Sequence, residues 1–146
     1  MLPVPRRWRG ACESGTEFNS SNCNPKLIGA RSFSKAVKQL NLTISLPDDY
    51  DSPRDYFGHG THTSSIAAGS LVENVDYFGY AKGTATGIAP LTNLAMYKVL
   101  FANSTIGATA SDTLAAMDQA IEDGVDLMSL SLGFPENSSV DNPILL

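Results

Sequence analysis

Apolar positions lie along the chain in short segments, separated by polar stretches rich in glycine and proline. Residues 27–33 form a short apolar segment that follows a proline and predicts a strand. Residues 93–101 are almost continuously apolar, as expected of a strand buried on both faces, and residues 125–132 predict a further strand. Prolines interrupt the polar stretch 34–58 and glycines interrupt 79–90, so a loop and a series of turns are expected there.

Two segments predict helices. Residues 58–69 begin and end with glycine and carry mostly small side chains, so this helix can approach a neighbouring backbone closely. Residues 111–123 predict a second helix, with Ser111 as N-cap, Asp112 at the positive end of the helix dipole and Gly124 just after the last residue. Its large apolar side chains recur at the i, i+3, i+7 spacing of one buried face: Leu114, Met117 and Ile121.

The order of these elements predicts an α/β protein, with a parallel sheet and flanking helices. Strand 93–101, helix 111–123 and strand 125–132 have the spacing of a βαβ unit, whose crossover is right-handed. A length of 146 residues fits one domain or a piece of a larger one. The hydrophobic content of 42% can supply a core, which excludes wholly disordered, collagen-like and coiled-coil chains.

Membrane and targeting segments are not evident in the sequence. No apolar run approaches the roughly 18 residues that a membrane span needs. Residues 1–10 read MLPVPRRWRG and contain no apolar core of a signal peptide.

Charge is distributed unevenly along the chain. Residues 1–54 contain eight basic and five acidic side chains, whereas residues 55–146 contain two basic and ten acidic ones. The more regularly patterned part is therefore acidic, which argues against a nucleic-acid partner. The basic side chains around Trp8 are interpreted as part of a surface segment rather than a basic-aromatic binding patch: Arg6, Arg7 and Arg9.

Two cysteines and four glycosylation sequons bear on the compartment. Cys12 and Cys23 form no CxxC pair, and the residues alone leave open a disulfide, worth about 3 kcal/mol on the loop-entropy model, or two free thiols. With nine asparagines and 26 serines plus threonines, chance predicts about 1.6 sequons. The four sequon asparagines are Asn19, Asn41, Asn103 and Asn137. Together the cysteines and sequons favour a secretory protein.

The histidine inventory consists of His59 and His62, which share the motif HGTHT. Two histidines at i and i+3 share a helix face and can bind a metal, but no glutamate lies between them and the chain has no third histidine. His59 lies between two glycines at a predicted helix start, which leaves its imidazole open to a substrate. That setting suits a general base, which contributes typically about 10²–10⁴-fold to a rate.

The phrase SPRDYFGHGTHTSSIAAG at 52–69 resembles the histidine motif of the subtilisin-like serine proteases, most closely their plant branch. Segments 6–33, 78–90, 94–100 and 111–133 follow the order of that family, and the resemblance covers residues 5–146. It implies a partial subtilisin-like fold, with residues 1–146 as the histidine-motif portion of a catalytic domain. It also implies that Met1 is an internal methionine of a longer reading frame or of a truncated gene model.

The resemblance implies roles for particular residues. His59 corresponds to the general base and His62 to a structural residue. The segment S-L-G lines the family's substrate cleft, where an extended peptide pairs with a strand edge; here it is Ser131, Leu132 and Gly133. Phe134 stands where the family usually has a second glycine, which affects access to the cleft. Cys12 and Cys23 match a pair that the family is expected to join.

The other triad positions have no match in this sequence. The family's aspartate lies in a D-[ST]-G segment and its serine in a G-T-S segment, and neither pattern occurs here. The resemblance thus implies an extracellular endopeptidase of the apoplast or cell wall that cuts proteins or peptides, with no cofactor or metal and no nucleic-acid or membrane partner. This chain alone is expected to be inactive. The alternatives are a non-catalytic remnant that binds peptides through residues 129–133 and an unrelated α/β domain that binds a metal through its histidines.

Overall fold

A computed structural model describes residues 2–134 of the chain. Within that part, four strands and three helices follow a one-turn 3₁₀ helix at Ser20–Asn22. In chain order the elements are β1 (Leu27–Ser32), α1 (Lys35–Gln39), α2 (His59–Ala68), β2 (Val72–Tyr77), β3 (Tyr80–Ala85), β4 (Leu94–Lys98) and α3 (Ile106–Asp123). The predicted α/β class, with a parallel sheet and flanking helices, is confirmed.

Strands β1 and β4 form the parallel sheet. They pair in register from Leu27 opposite Leu94 to Ser32 opposite Lys98, with one irregularity near the start of β1. An isolated parallel bridge between Cys12 and Ala30 places the N-terminal segment on the other side of β1. The predicted strand 93–101 is thus shorter than expected, and all five residues of β4 are half-buried rather than buried on both faces.

The stretch 79–90, predicted as turns, contains strand β3. This strand pairs antiparallel with β2, and Tyr77 faces Tyr80 across a tight turn at Gly79. Gly79 has a φ of 84°, and its amide donates to the Asp76 carboxylate at 2.7 Å. All six residues of β3 are exposed, so this hairpin lacks the one-sided burial from which a strand is usually recognised.

Helix α3 begins five residues before its predicted start, and the predicted N-cap is wrong. Thr105 is the N-cap, and its side chain accepts from the Ala108 amide. The predicted end is confirmed, because Gly124 follows the helix with a φ of 87°. Asp112 lies mid-helix, where its carboxylate accepts from the amide of Ala36 in α1 at 3.0 Å.

The buried face of α3 also differs from the predicted one. Leu114 and Ile121 are 39% and 66% exposed. The buried residues are small or polar: Ala108, Thr109, Asp112, Thr113, Ala116, Ala120 and Asp123. Small side chains allow the short helix α1 to approach, and α1 contributes Val37 to a core that Phe101 and Ala108 complete. Helix α1 lies inside the stretch 34–58, which was predicted as a loop without elements.

The predicted strand 125–132 is absent from the described residues, where this segment has no regular secondary structure. The predicted βαβ unit that depends on it is therefore wrong. The parallel pairing runs between β1 and β4 instead. Strand formation requires a hydrogen-bonded neighbour, and the apolar pattern of 125–132 does not supply one.

Candidate active site

Helix α2 carries both histidines, and its observed bounds agree closely with the predicted 58–69. His59 is its first residue, and Gly58, the N-cap, has a left-handed φ of 88° that favours glycine. His59 and His62 are both exposed. The glycines on either side of His59 leave its side chain accessible, as the sequence indicated.

His59 contacts the segment that follows α3. Its Nε2 lies 2.9 Å from the carbonyl oxygen of Ser131, a residue 72 positions further along the chain. A carbonyl oxygen only accepts hydrogen bonds, so Nε2 carries the proton in this contact. Ser131 and Gly133 are exposed and Leu132 is half-buried, so the three S-L-G residues lie at the surface beside the imidazole.

The carboxylate of Asp55 caps the start of helix α2. Its Oδ1 accepts from the amide of Gly58 at 2.9 Å, and its Oδ2 accepts from the amide and hydroxyl of Thr61 at 2.8 and 2.7 Å. Burial disfavours the charged form, but the hydrogen bonds from Thr61 and Gly58 and the positive charge of Lys98 outweigh it and lower the pKa of Asp55. Asp55 therefore remains an acceptor at neutral pH.

The loop that leads to Asp55 is anchored by buried polar groups. The Lys98 ammonium donates to Asp49 Oδ1 at 2.6 Å and to the carbonyls of Tyr50 and Arg54 at 3.0 and 2.9 Å. The Ser52 hydroxyl donates to a carbonyl of the N-terminal disulfide loop at 2.7 Å. These bonds attach the loop to the end of β4 on one side and to the disulfide loop on the other.

The other end of helix α2 is held by residues 87–89. Their amides donate to the carbonyls of Gly69, Ile66 and Ala67 at 2.9, 3.0 and 2.9 Å, which satisfies groups that a helix end leaves free. Gly87 lies so close that an added Cβ would be 2.2 Å from the Gly69 nitrogen. The histidine helix is thus fixed at both ends.

The two cysteines are half-buried, and the sequon asparagines among the described residues are exposed. The structure has a disulfide between Cys12 and Cys23, with the Cα atoms 6.3 Å apart. The sequon residues Asn19, Asn41 and Asn103 are exposed, and the fourth predicted site, Asn137, lies outside the described residues.

Two kinds of feature are absent from residues 2–134. No helix there combines the length and the apolar character that crossing a membrane requires. No group of three or more histidine, cysteine, aspartate or glutamate side chains in the same range is arranged to hold a metal ion.

Sequence reasoning missed Asp55 and Lys98 as parts of this site. Asp55 lies three residues before the N-cap Gly58 and thus outside the position that gives a local capping signal. Lys98 carries no local signal either, because its partners are 44 to 49 positions away.

Comparisons with known proteins identify the family. Residues 11–144 match the subtilase family. The chain is 48% identical over 134 residues to Subtilisin-like protease SBT3 from Solanum lycopersicum, covering 92% of this chain and 17% of that protein. It is 51% identical over 138 residues to Subtilisin-like protease SBT3.6 from Arabidopsis thaliana, covering 90% of this chain and 18% of that protein. A third relative, Subtilisin-like protease SBT1.7 from Arabidopsis thaliana, is 50% identical over 131 residues, covering 90% of this chain and 17% of that protein.

The chain thus spans less than a fifth of the length of these relatives. Its parallel sheet with flanking helices agrees with part of a subtilisin-like α/β fold. The family match covers nearly all of the described residues, including both histidines and the S-L-G segment. On these matches, the chain belongs to the subtilase family.

Proposed function

We propose that this chain is the histidine-bearing portion of a serine endopeptidase catalytic domain, with His59 as the general base. One observation carries the proposal: His59 Nε2 lies 2.9 Å from the carbonyl of Ser131. The first residue belongs to the histidine motif and the second to the segment proposed to bind substrate. Their contact places the histidine and the proposed substrate-binding segment side by side, as the two must be for hydrolysis of a bound peptide.

The proposed role of His59 is to take a proton from a serine hydroxyl and return it to the leaving amine. That role needs an unprotonated Nε2, which an aspartate at Nδ1 secures in a catalytic triad. In this chain Nε2 donates to Ser131, which is the opposite tautomer. The sequence also contains neither D-[ST]-G nor G-T-S. We therefore expect that the 146-residue chain by itself hydrolyses no peptide.

Extended polypeptides are the proposed substrates. Ser131 and Gly133 are exposed, and within residues 2–134 the segment around them pairs with no strand. Its backbone N–H and C=O groups are thus suited to pairing with an extended peptide. The acidic balance of residues 55–146 favours a peptide over a nucleic acid as partner.

A chimera tests the catalytic role. Residues 11–144 replace the matching segment of the tomato relative, and hydrolysis of a fluorogenic peptide is measured. The chimera is expected to be active, and His59→Ala to lower kcat by about 10⁶, the loss known for subtilisin. His62→Ala, on the same exposed helix, is the matched control and should retain most activity. A folded but inactive chimera, or activity that survives His59→Ala, contradicts the proposal.

A serine-directed fluorophosphonate probe tests the expected inactivity of the chain itself. The purified 146-residue protein should remain unlabelled under conditions in which the tomato relative is labelled. Specific, saturable labelling of this chain would refute the statement that it lacks a nucleophile.

Peptide binding without catalysis is a second candidate function. The observation that favours this function is the hydrogen bond from His59 Nε2 to the Ser131 carbonyl. This bond occupies Nε2, while Ser131 and Gly133 stay exposed. Titration of the ¹⁵N-labelled chain with an extended apolar peptide should then shift amide signals of residues 129–133 saturably. Unchanged signals at millimolar peptide would exclude this function.

A secretory location is also proposed. The disulfide Cys12–Cys23 and the exposed sequons Asn19, Asn41 and Asn103 support it, because disulfides and N-glycans are added in the secretory pathway. The chain is expressed behind a signal peptide in plant cells, and intact mass is compared before and after glycosidase treatment. An unglycosylated, secreted product would contradict the sequon assignment.

A further inference from the structure

The carboxylate of Asp55 makes contacts on both sides of His59. It accepts from the amide of Gly58, one residue before the histidine, and from the amide and hydroxyl of Thr61, two residues after it. The three distances are 2.9, 2.8 and 2.7 Å, and both carboxylate oxygens are used. One side chain therefore fixes the backbone on either side of the histidine.

Two further hydrogen bonds hold the backbone around His59: the His62 amide donates to the Gly58 carbonyl at 2.9 Å, and the Thr63 hydroxyl donates to the Gly60 carbonyl at 3.3 Å. Gly58, in the left-handed region, would meet nothing within 4 Å if it carried a Cβ. A Cβ at Gly60 would meet only ordinary contacts, the nearer being Asp55 Oδ2 at 3.7 Å. Glycines lack the side-chain restraints that set a backbone in other residues. In this turn, which glycine side chains do not restrain, Asp55 supplies the side-chain acceptor for the amides of Gly58 and Thr61.

Asp55 is itself held in place from the preceding loop. The carbonyl of its neighbour Arg54 accepts from Lys98 at 2.9 Å, and the Arg54 amide donates to the buried Ser52 hydroxyl at 3.2 Å. Asp55 is half-buried, and the positive charge of Lys98 favours its carboxylate form. The Asp55 carboxylate is therefore held in place and can fix the backbone at the start of α2.

We infer that Asp55 is a positioning residue, which sets the first turn of α2 so that the His59 imidazole points at the Ser131 carbonyl. The inference rests on the proposed function, in which His59 is the general base. A residue that aims a base acts on the reaction because small errors of geometry at the base reduce catalysis strongly. A carboxylate that merely stabilises the helix would leave the imidazole contact unchanged when removed.

NMR of the ¹⁵N-labelled 146-residue chain tests the inference without any measurement of hydrolysis. The readouts are the Nε2–H signal of His59 and the amide exchange rates of Gly58 and Thr61. Asp55→Ala should abolish the hydrogen-bonded Nε2–H signal and accelerate both amides by about tenfold or more, because each loses a charged acceptor. For Asp55→Asn, both readouts should lie between those of Asp55→Ala and the unmodified chain, since an amide offers only one acceptor oxygen in place of two.

Asp76→Asn is the matched control. Asp76 accepts from the amide of Gly79 three residues later, as Asp55 does from Gly58, but in the β2–β3 hairpin. This variant should leave the His59 signals unchanged. An equal change in the His59 signals of the Asp76 variant would show that they respond to any lost carboxylate, and would overturn the inference.

The decisive contrary result is an Asp55→Ala chain whose His59 signals match those of the unmodified chain. Faster exchange of Gly58 and Thr61 alone would then mean that Asp55 only caps the helix. If circular dichroism shows that Asp55→Ala does not fold, Asp55→Asn decides by the same criterion. Because hydrolysis is not measured, an inactive chimera would refute the proposed function and leave this result standing.

Discussion

Replacement of Asp123 by asparagine tests how the sheet and helix α3 are joined. Asp123 is the last residue of α3 and is 2% exposed. Its carboxylate accepts from Arg31 Nε and Nη2 at 2.8 and 3.0 Å, from the Tyr97 hydroxyl at 2.8 Å and from Gln119 Nε2 at 3.0 Å. Arg31 lies in β1 and also binds Glu13 at 2.9 Å. One carboxylate thus connects both parallel strands to the helix.

The expected cost follows from what remains after the change. Asparagine keeps the shape of Asp123 but loses the charge and one acceptor oxygen, so Arg31 keeps only Glu13 as a charged partner. Removal of one partner of a buried ion pair costs about 3–5 kcal/mol. Because Glu13 compensates in part, we expect Asp123→Asn to lower the free energy of unfolding by about 2–3 kcal/mol, a large share of a typical 5–15 kcal/mol.

Urea denaturation followed by circular dichroism measures the change. With a slope of about 1–3 kcal/mol per molar, a loss of about 2–3 kcal/mol should lower the midpoint by roughly 0.7–3 M. The matched control is Asp126→Asn, because Asp126 pairs with Arg7 at the surface with side chains 72% and 56% exposed. That pair should contribute less than about 1 kcal/mol. Equal midpoints for the two variants would refute the reasoning.

The pH dependence of this effect has a defined sign. Burial disfavours the charged form of Asp123, but hydrogen bonds from Arg31, Tyr97 and Gln119 outweigh it and lower its pKa below the ordinary 3.8. The folded-state pKa is therefore lower than the unfolded one. The stabilisation is fully present well above pH 3.8 and is lost as pH falls through the folded pKa. A difference between Asp123→Asn and the unmodified chain that grows on acidification would contradict this account.

Three further predictions concern other parts of the chain. Gly87→Ala should lower the free energy of unfolding by about 1–3 kcal/mol, because its Cβ would lie 2.2 Å from a backbone nitrogen. Gly107→Ala, at a position of α3 where a Cβ would meet no atom within 4 Å, should raise the free energy of unfolding by about 0.5–1 kcal/mol. Equal thermal midpoints for these two variants would contradict the packing argument. Cys12 and Cys23 are eleven residues apart, so reduction of their disulfide should lower the free energy of unfolding by about 3 kcal/mol. An unchanged midpoint in urea denaturation would contradict this prediction. Nitrogen-15 NMR should find neutral His59 protonated at Nε2, and the Nδ1–H tautomer would refute the contact with the Ser131 carbonyl.

Helix α2 was predictable because its limits are set locally. Gly58 adopts the left-handed conformation before the first helical residue, and Gly69 follows the last one. The left-handed φ at Gly58 is a property of glycine itself, whereas Gly69 has an ordinary φ of −56° and lies where a Cβ would be 2.5 Å from the Ser65 carbonyl oxygen. The predicted and observed bounds differ by one residue at each end. The end of α3 at Gly124 was predictable for the same reason.

The buried face of α3 was not predictable from side-chain size. The spacing of Leu114, Met117 and Ile121 is that of a helix face, yet the face that contacts α1 contains alanines, threonines and aspartates. A neighbouring helix that packs closely requires small residues at the contact, so the partner determines which face is buried. Helix α1 was itself missed, which removed the information needed to choose correctly.

Strands depend even more on distant residues. Residues 125–132 have the apolar pattern of a strand but no hydrogen-bonded neighbour among the described residues, whereas the exposed β3 is a strand because β2 is next to it. The pairing of β1 with β4 joins residues 27–32 to 94–98. Composition and periodicity describe one segment at a time and do not specify such partners.

The same limit explains which parts of the candidate site the sequence could suggest. The motif around His59 and the S-L-G segment are local patterns, so the sequence alone was enough to propose them as site residues, and their roles stay predictions. The loop before His59 looked like an ordinary surface loop because it is polar, yet Asp49 and Ser52 are each only 1% exposed. Buried polar groups require hydrogen-bond partners, and here these come from Lys98 and from the disulfide loop. Since satisfied buried polar networks rigidify a structure, the loop that carries Asp55 is fixed by long-range bonds that no local pattern reveals.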